Sequence, residues 1–513
     1  MTMANTETKR DLRREALATA LANPTVRAPF RAWHVDEPPV LVGDGQVAPD
    51  PKTGVAQWGP WHTHDQPPLG DIRIAIIGTS EEIDLARAWF ERCRHEIRPG
   101  PKADVLLFPA FPGLESSTGF GCRVSLTNEL VEVLTPAEIA RITRAGDRDA
   151  AVEAAAVVLR ARMETLADRD ILPSVVVVAL SDDIRKAAGG GRRQQRRASM
   201  KPRRPSNQLS LNFLDPKPLE PFRASRTLHR VVKAEGMRVG IPTQLAWPST
   251  FKGGAGVQDD ATRAWNLCTA LYYKAGGVPW RVRGLDRGTC YVGISFYRPV
   301  GAPNHLQTSM AQAFSDRGEG TVLRGAPLEW DPQKGPPVLP REHAKELLRG
   351  VLAQYARHHR TAPTRVVVYK TSRMREEEVG GFREALGSIP YYDFISIGPS
   401  KVRFLRSGAE PPIRGSVIQV DQDRYVVYTR GYVPYLGVYP GLRIPQPLDV
   451  RHHGTHPVTD VVREMLALTR MNWNSAEFAA AEPITLGFAR TVGLVLSELP
   501  NEIEPATAFR FYM

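Results

Sequence analysis

Tyr291-Val292-Gly293-Ile294-Ser295-Phe296 is an apolar run of strand length that carries a single hydroxyl, Ser295, near its end. A second run, Val366-Val367-Val368-Tyr369-Lys370-Thr371, opens on three valines and a tyrosine and closes on Thr371. β-Branched and aromatic residues suit a pleated, packed surface, and short apolar runs of this kind read as strands covered on both faces. Neither run presents a carboxylate. Hydrolysis of a phosphodiester by two metal ions draws several carboxylates onto hard cations, because neutral serine and threonine hydroxyls bind Mg²⁺ weakly.

Around these runs, the segment from Gly276 to Met513 shows further strand candidates at 321–324 and 394–397 and a helix at 375–386. A hairpin follows, 416–420 and 424–429, turned by Asp421-Gln422-Asp423, and then a long helical pattern. That order fits the mixed sheet of an RNase H-like domain. Upstream the rhythm differs. Ile72 to Gly78 reads as a buried strand, Glu81 to His95 as a helix and Val105-Leu106-Leu107-Phe108 as a second strand. Ala150 to Leu166 reads as a long helix and Val175 to Leu180 as a strand apolar on both faces. Alternating strands and helices with continuously apolar strands imply a parallel, Rossmann-like sheet. The expected fold is therefore α/β, a Rossmann-like unit followed by an RNase H-like unit. Residues 1–69 are polar and proline-rich with Trp58 and Trp61 as anchors, and read as an extended amino-terminal arm.

The 513 residues allow two or three domains with substantial cores. A net charge of +12 favours an anionic partner without naming one. Cys93, Cys122, Cys268 and Cys290 form no CxxC pair and read as buried thiols of a reducing compartment. No apolar run approaches the ~20 residues of a membrane span, so a cytoplasmic protein without membrane contact is expected. Walker A, GxSxG and GxGxxG patterns are all missing, which argues against a P-loop enzyme, an α/β-hydrolase and a dinucleotide-binding enzyme. The most basic stretch, residues 185–204, holds nine Lys/Arg and no acid; it reads either as a solvated loop or as an arm that engages phosphates.

The densest constellation lies between the halves, in Ser225-Arg226-Thr227-Leu228-His229-Arg230-Val231-Val232-Lys233 and the residues after it. Leu228, Val231 and Val232 share one helical face, leaving His229 and Lys233, at i and i+4, as neighbours on another. Gln244 follows Pro242 in a short extended segment, and a helix from Trp265 ends in Lys274-Ala275-Gly276-Gly277. An imidazole, two ammonium groups and an amide suit a terminal phosphate, which asks for several donors and positive charge in one place.

His229, Lys233, Gln244 and Lys274-Ala-Gly-Gly, followed by a strand containing Val292-Gly293-Ile294, resemble the MID and PIWI domains of Argonaute proteins over roughly residues 70–513. The resemblance implies a MID domain at 70–275 and a PIWI domain at 276–513. The first four residues match the pocket for the 5′-phosphate of a guide strand, in the variant with histidine in place of tyrosine. The length ahead of residue 70 is too short for the further amino-terminal and PAZ domains, so the chain looks like a short prokaryotic Argonaute. Catalytic members carry an acidic tetrad; the matching positions here are Ser295, Thr371 and Ala489 or Arg490, which implies a PIWI domain that does not cut. The resemblance also implies that the Met513 carboxylate shares Mg²⁺ with the guide phosphate. It implies as partners a small guide RNA, single-stranded target DNA and an APAZ-domain effector bearing a TIR, Sir2 or nuclease fusion, acting in prokaryotic defence.

The competing reading is a guide-directed nuclease with relocated carboxylates at Asp316, Glu319 and Glu329, all from one connecting region. His358-His359 and the cluster His452, His453 and His456 read as ordinary histidines without a placed carboxylate. Glu376-Glu377-Glu378 reads as a solvated helix start.

Overall fold

The structure, a computed structural model, describes residues 30–101, 103–189, 226–254, 256–297, 305–313, 321–330, 335–408, 410–441, 443–499 and 503–513. The amino-terminal residues form more regular structure than an extended arm. β1 (Arg31–His34) leaves to join a distant sheet, while β2 (Val40–Val42) and β3 (Gln46–Ala48) form a small sheet closed by helix α1 (Pro51–Trp58). Arg470 fixes this region by donating to the carbonyls of Pro38 (2.6 Å) and Pro49 (2.5 Å).

Next comes a five-stranded sheet in which every pairing is parallel, as the continuously apolar strands imply. β4 (Asp71–Gly78) leads into α2 (Ser80–Cys93), and β5 (Arg123–Ser125) and β6 (Val131–Val133) pair in turn with β4. Helices α3 (Pro136–Thr143) and α4 (Arg148–Ala167) precede β7 (Val175–Ala179) on the other side of β4. Helix α5 (Leu228–Arg238) then leads to β8 (Thr243–Ala246), and α6 (Asp260–Lys274) follows. Ile74 and Ile76 of β4 face a core shared with α2 and α6, whereas Ala75 and Ile77 face one shared with α4 and α5.

The segment Val105–Phe108, expected as a strand, is a turn with Val105 and Leu106 exposed. The Asp104 carboxylate accepts from the Leu106 amide at 2.9 Å, and prolines at 101, 109 and 112 deny the segment a ladder. The strand position is taken by β5 instead. Of the basic stretch, 190–204 lies outside the described residues; Arg185–Gly189 forms a π-helical turn.

β9 (Arg281–Val282) closes the small amino-terminal sheet. The second large sheet has nine strands: β10 (Thr289–Tyr297), β11 (His305–Ala313), β12 (Thr321–Glu329), β13 (Arg365–Lys370), β14 (Tyr391–Pro399), β15 (Ser416–Gln419), β16 (Arg424–Val427), β17 (Leu448–Gly454) and β1. Their order is β1-β15-β16-β17-β14-β13-β10-β11-β12, with β10, β13 and β14 parallel at the centre and the other pairings antiparallel. Val292, Ile294 and Phe296 pack under α7 (Arg341–His359) and α8 (Glu376–Leu386). The opposite face packs under α9 (Val458–Leu468) and α10 (Ile484–Leu496). α10 crosses β10 at Gly293, where a Cβ would lie 2.1 Å from the Thr485 carbonyl oxygen. That contact sets how closely the helix carrying Ala489 and Arg490 lies on the strand carrying Ser295.

Candidate anion site and the strand-end positions

α5 starts at Thr227, whose hydroxyl accepts from the Arg230 amide, and buries Leu228, Val231 and Val232 against the α4 side of the sheet. The 3.6-residue period then turns His229 and Lys233 away from that core, toward β8 and α6. Gly236 lets β8 come close: a Cβ there would sit 2.3 Å from the Thr243 methyl and 2.7 Å from the Ile241 oxygen. In consequence the Lys233 ammonium, only 1% exposed, donates to the Thr243 carbonyl.

From the other side α6 delivers Lys274, also 1% exposed, which donates to the Gln244 side-chain oxygen; the Gln244 amide nitrogen is held by the Leu245 carbonyl at 3.0 Å. The Lys233 and Lys274 amino groups are hydrogen-bonded to each other. All four residues singled out from the sequence, His229, Lys233, Gln244 and Lys274, are thus brought together by α5, β8 and α6.

The electrostatics are those of crowded cations. Burial, and then Lys233, Lys274 and Arg230, push the His229 imidazole down to about 3. Burial and the neighbouring Lys274 hold Lys233 well below the ordinary lysine value. Burial lowers Lys274 to about 7, opposed by its hydrogen bond to Lys233. Such a site resists protonation while empty and gains from an anion, which favours the charged form of every group facing it. Its donors fit an anion. A divalent cation alone fits poorly, because the ammonium groups repel it and the Gln244 oxygen is already engaged.

The 3-10 turn Phe509–Phe511 packs against both α5 and α6, and Phe511, Tyr512 and Met513 are buried. A further link runs from Arg226, just ahead of α5, to Glu498, just beyond α10, at 2.8 Å.

At the centre of the large sheet Ile294 stands opposite Lys370, so Ser295 and Thr371 follow at the same end of two adjacent parallel strands. Ser295 is nearly buried and Thr371 exposed. Ala489 is buried, and the Arg490 guanidinium makes two contacts to Glu482, at 2.8 and 3.0 Å. Glu378, expected as a solvated helix start, is buried. It accepts from the Leu339 and Arg375 amides, both at 2.9 Å, and pairs with the buried Lys370. Among the described residues no three His, Cys, Asp or Glu side chains gather to hold a metal.

Glu329 is exposed and opposite His305, whereas the residue of β12 level with Ser295, through Ser309, is Arg324. Asp316 and Glu319 lie outside the described residues.

Sequence reasoning missed Asp393. This buried carboxylate accepts from His452 (2.8 Å), contacts His456 (3.0 Å) and pairs with Arg365 (2.7 Å), which also reaches Glu464. The histidine cluster therefore has a placed carboxylate after all, supplied by the β14–β17 pairing rather than by any local motif.

No family model and no curated protein matches the chain. Solved structures do. Clostridium butyricum Argonaute, bound to a guide DNA and a 19-mer target DNA, superposes with a TM-score of 0.62 at 12% identity, over 93% of this chain and 54% of that one. Aa-Ago with externally bound siRNA gives 0.54 at 15% identity, over 93% and 56%. Drosophila Piwi gives 0.54 at 12% identity, over 94% and 56%. The chain spans a little over half the length of these structures.

Proposed function

We propose that this chain, whose fold is Argonaute-like, holds the 5′-phosphorylated end of a small guide strand and uses that guide to recognise target nucleic acid without cutting it. The observation that carries the reading is the meeting of His229, Lys233, Gln244 and Lys274 in one buried, proton-poor pocket. A phosphate dianion would supply the acceptors and the negative charge that this cluster lacks. Specificity would rest on base pairing, with the protein contacting phosphates and duplex shape.

In this reading the 70–275 region is the MID domain and 276–513 the PIWI domain. Ser295, Thr371 and Ala489 or Arg490 stand where catalytic members have carboxylates, so the cations needed for two-metal hydrolysis would lack ligands. Mg²⁺ is assigned to the Met513 carboxylate only jointly with phosphate oxygens, since hard oxygen donors are what it accepts. By the same resemblance the guide is RNA, the target single-stranded DNA, and the output comes from an APAZ-domain effector partner in the cytoplasm of a prokaryotic cell under invasion.

The test is a retention and cleavage assay on the purified chain loaded with a 5′-phosphorylated guide and labelled complementary DNA, in Mg²⁺ or Mn²⁺. The target should be held and remain intact, and an activity should appear only when the effector partner is added. Cutting at a fixed distance from the guide's 5′ end by the chain alone would overturn the non-catalytic reading.

A further inference from the structure

The positive charge around the pocket does not stop at Lys274. Gly276, two residues on, has φ +107°, a backbone conformation that glycine alone adopts readily. The Nη1 of Arg510 lies 3.3 Å from where a Cβ on Gly276 would stand. Arg510 projects from the 3-10 turn that packs on α5 and α6, and that turn is anchored by buried Phe509 and Phe511 and by the Tyr512 hydroxyl on the Ala506 carbonyl at 2.8 Å. The guanidinium is therefore held beside the carboxyl end of α6 by a fixed segment.

Its own partners are few. Nε is buried without a hydrogen-bond partner among the described residues, and the Cζ atom lies 5.7 Å from the centroid of the Phe511 ring. Arg226, by contrast, pairs with Glu498 and Glu153. An arginine beside a helix carboxyl end often serves that helix's last carbonyls, yet no hydrogen bond from Arg510 to α6 forms among the described residues. A guanidinium offers a planar fork that matches phosphate oxygens, and a buried donor left unmet is costly.

We propose that Arg510 is a further ligand of the strand's terminal phosphate, presented to the pocket by the 509–513 segment. The inference rests on the reading of the pocket given above, and deepens it by adding a residue from a different part of the chain. Lysine at this position would keep the charge and lose the fork.

The experiment uses the full chain as wild type, Arg510→Ala, Arg510→Lys and Lys233→Ala, with fluorescence anisotropy on one short RNA carrying either a 5′-phosphate or a 5′-hydroxyl. Arg510→Ala should lower affinity for the phosphorylated strand by about tenfold and leave the hydroxyl strand unchanged. The salt dependence for the phosphorylated strand should flatten by about 0.7 in slope. Arg510→Lys should recover part of the loss, and its unfolding temperature should match wild type.

If Arg510→Ala keeps the wild-type preference for phosphate while Lys233→Ala loses it, Arg510 is only a helix cap and the proposal is wrong. Equal losses on both strands would place Arg510 elsewhere on the backbone, which also contradicts it. A Lys233→Ala protein that still prefers phosphate would instead remove the pocket reading itself.

Discussion

Replacing Lys274 by methionine should weaken capture of a phosphorylated strand while leaving the empty protein at least as stable. The two effects pull apart because the same ammonium is useful to a ligand and costly to the fold. Lys274 is buried, donates to Gln244 and is held down to about 7 from an ordinary 10.5. A base whose folded value lies below its unfolded one binds fewer protons when folded. Its opposition to folding is therefore greatest below the folded value and fades as pH rises from about 7 toward 10.5. The displacement sets an upper limit on the order of 4 kcal/mol at neutral pH. Methionine removes that penalty but strands the Gln244 oxygen, which returns about 1 to 3 kcal/mol. The net expectation is a change from about zero to +2 kcal/mol in favour of the variant. Losing a charge-assisted phosphate contact of about 1.5–3 kcal/mol means roughly a 10- to 150-fold weaker Kd. Urea unfolding at neutral and alkaline pH, paired with anisotropy on a 5′-phosphorylated strand, reads both. Wild type should gain stability toward alkaline pH more than the variant does. A variant that is clearly less stable and binds as well as wild type would make Lys274 a structural residue and the reasoning wrong.

Affinity for a 5′-phosphorylated strand should fall as pH rises above about 7, because protons must be taken up onto the lysine pair for the anion to be held; titration calorimetry in buffers of different ionisation heat measures that uptake. Gly293→Ala puts a methyl 2.1 Å from the Thr485 oxygen, and should cost about 1–3 kcal/mol in denaturant unfolding by forcing α10 off β10. Ser295→Asp alone should not produce cleavage in a gel assay, since Thr371 and the Ala489/Arg490 position still supply no carboxylate and Arg490 remains paired to Glu482.

The elements most legible in the sequence were those whose neighbours do not matter. Ile72–Gly78 and Val175–Leu180 are apolar on both faces, so only a doubly covered strand accommodates them, and both appear in the parallel sheet. Val105–Phe108 has the same local composition, but a side-chain cap from Asp104 and three nearby prolines decide otherwise. β11 was not read because His305–Ala313 is mixed in character and gains its place only by pairing with β10 and β12.

The four pocket residues were legible jointly, through spacing along α5 and at the end of α6, and the structure brings them together. What spacing could not reveal was the means. Gly236 permits the close approach of β8 to α5, and the lysines meet with no carboxylate between them. Asp393 and Glu378 were invisible for the same reason: their partners, His452, Arg365 and Lys370, are assembled across strands and layers rather than along the chain.

The sharpest single measurement is the ratio of affinities for one RNA with a 5′-phosphate and with a 5′-hydroxyl, determined for wild type and for the chain with His229, Lys233 and Lys274 all replaced by alanine. Wild type should prefer the phosphorylated strand by at least about tenfold, and the triple variant should show no preference while retaining its fold. A triple variant that binds the phosphorylated strand as tightly as wild type would contradict the assignment of this pocket to the guide's 5′ end.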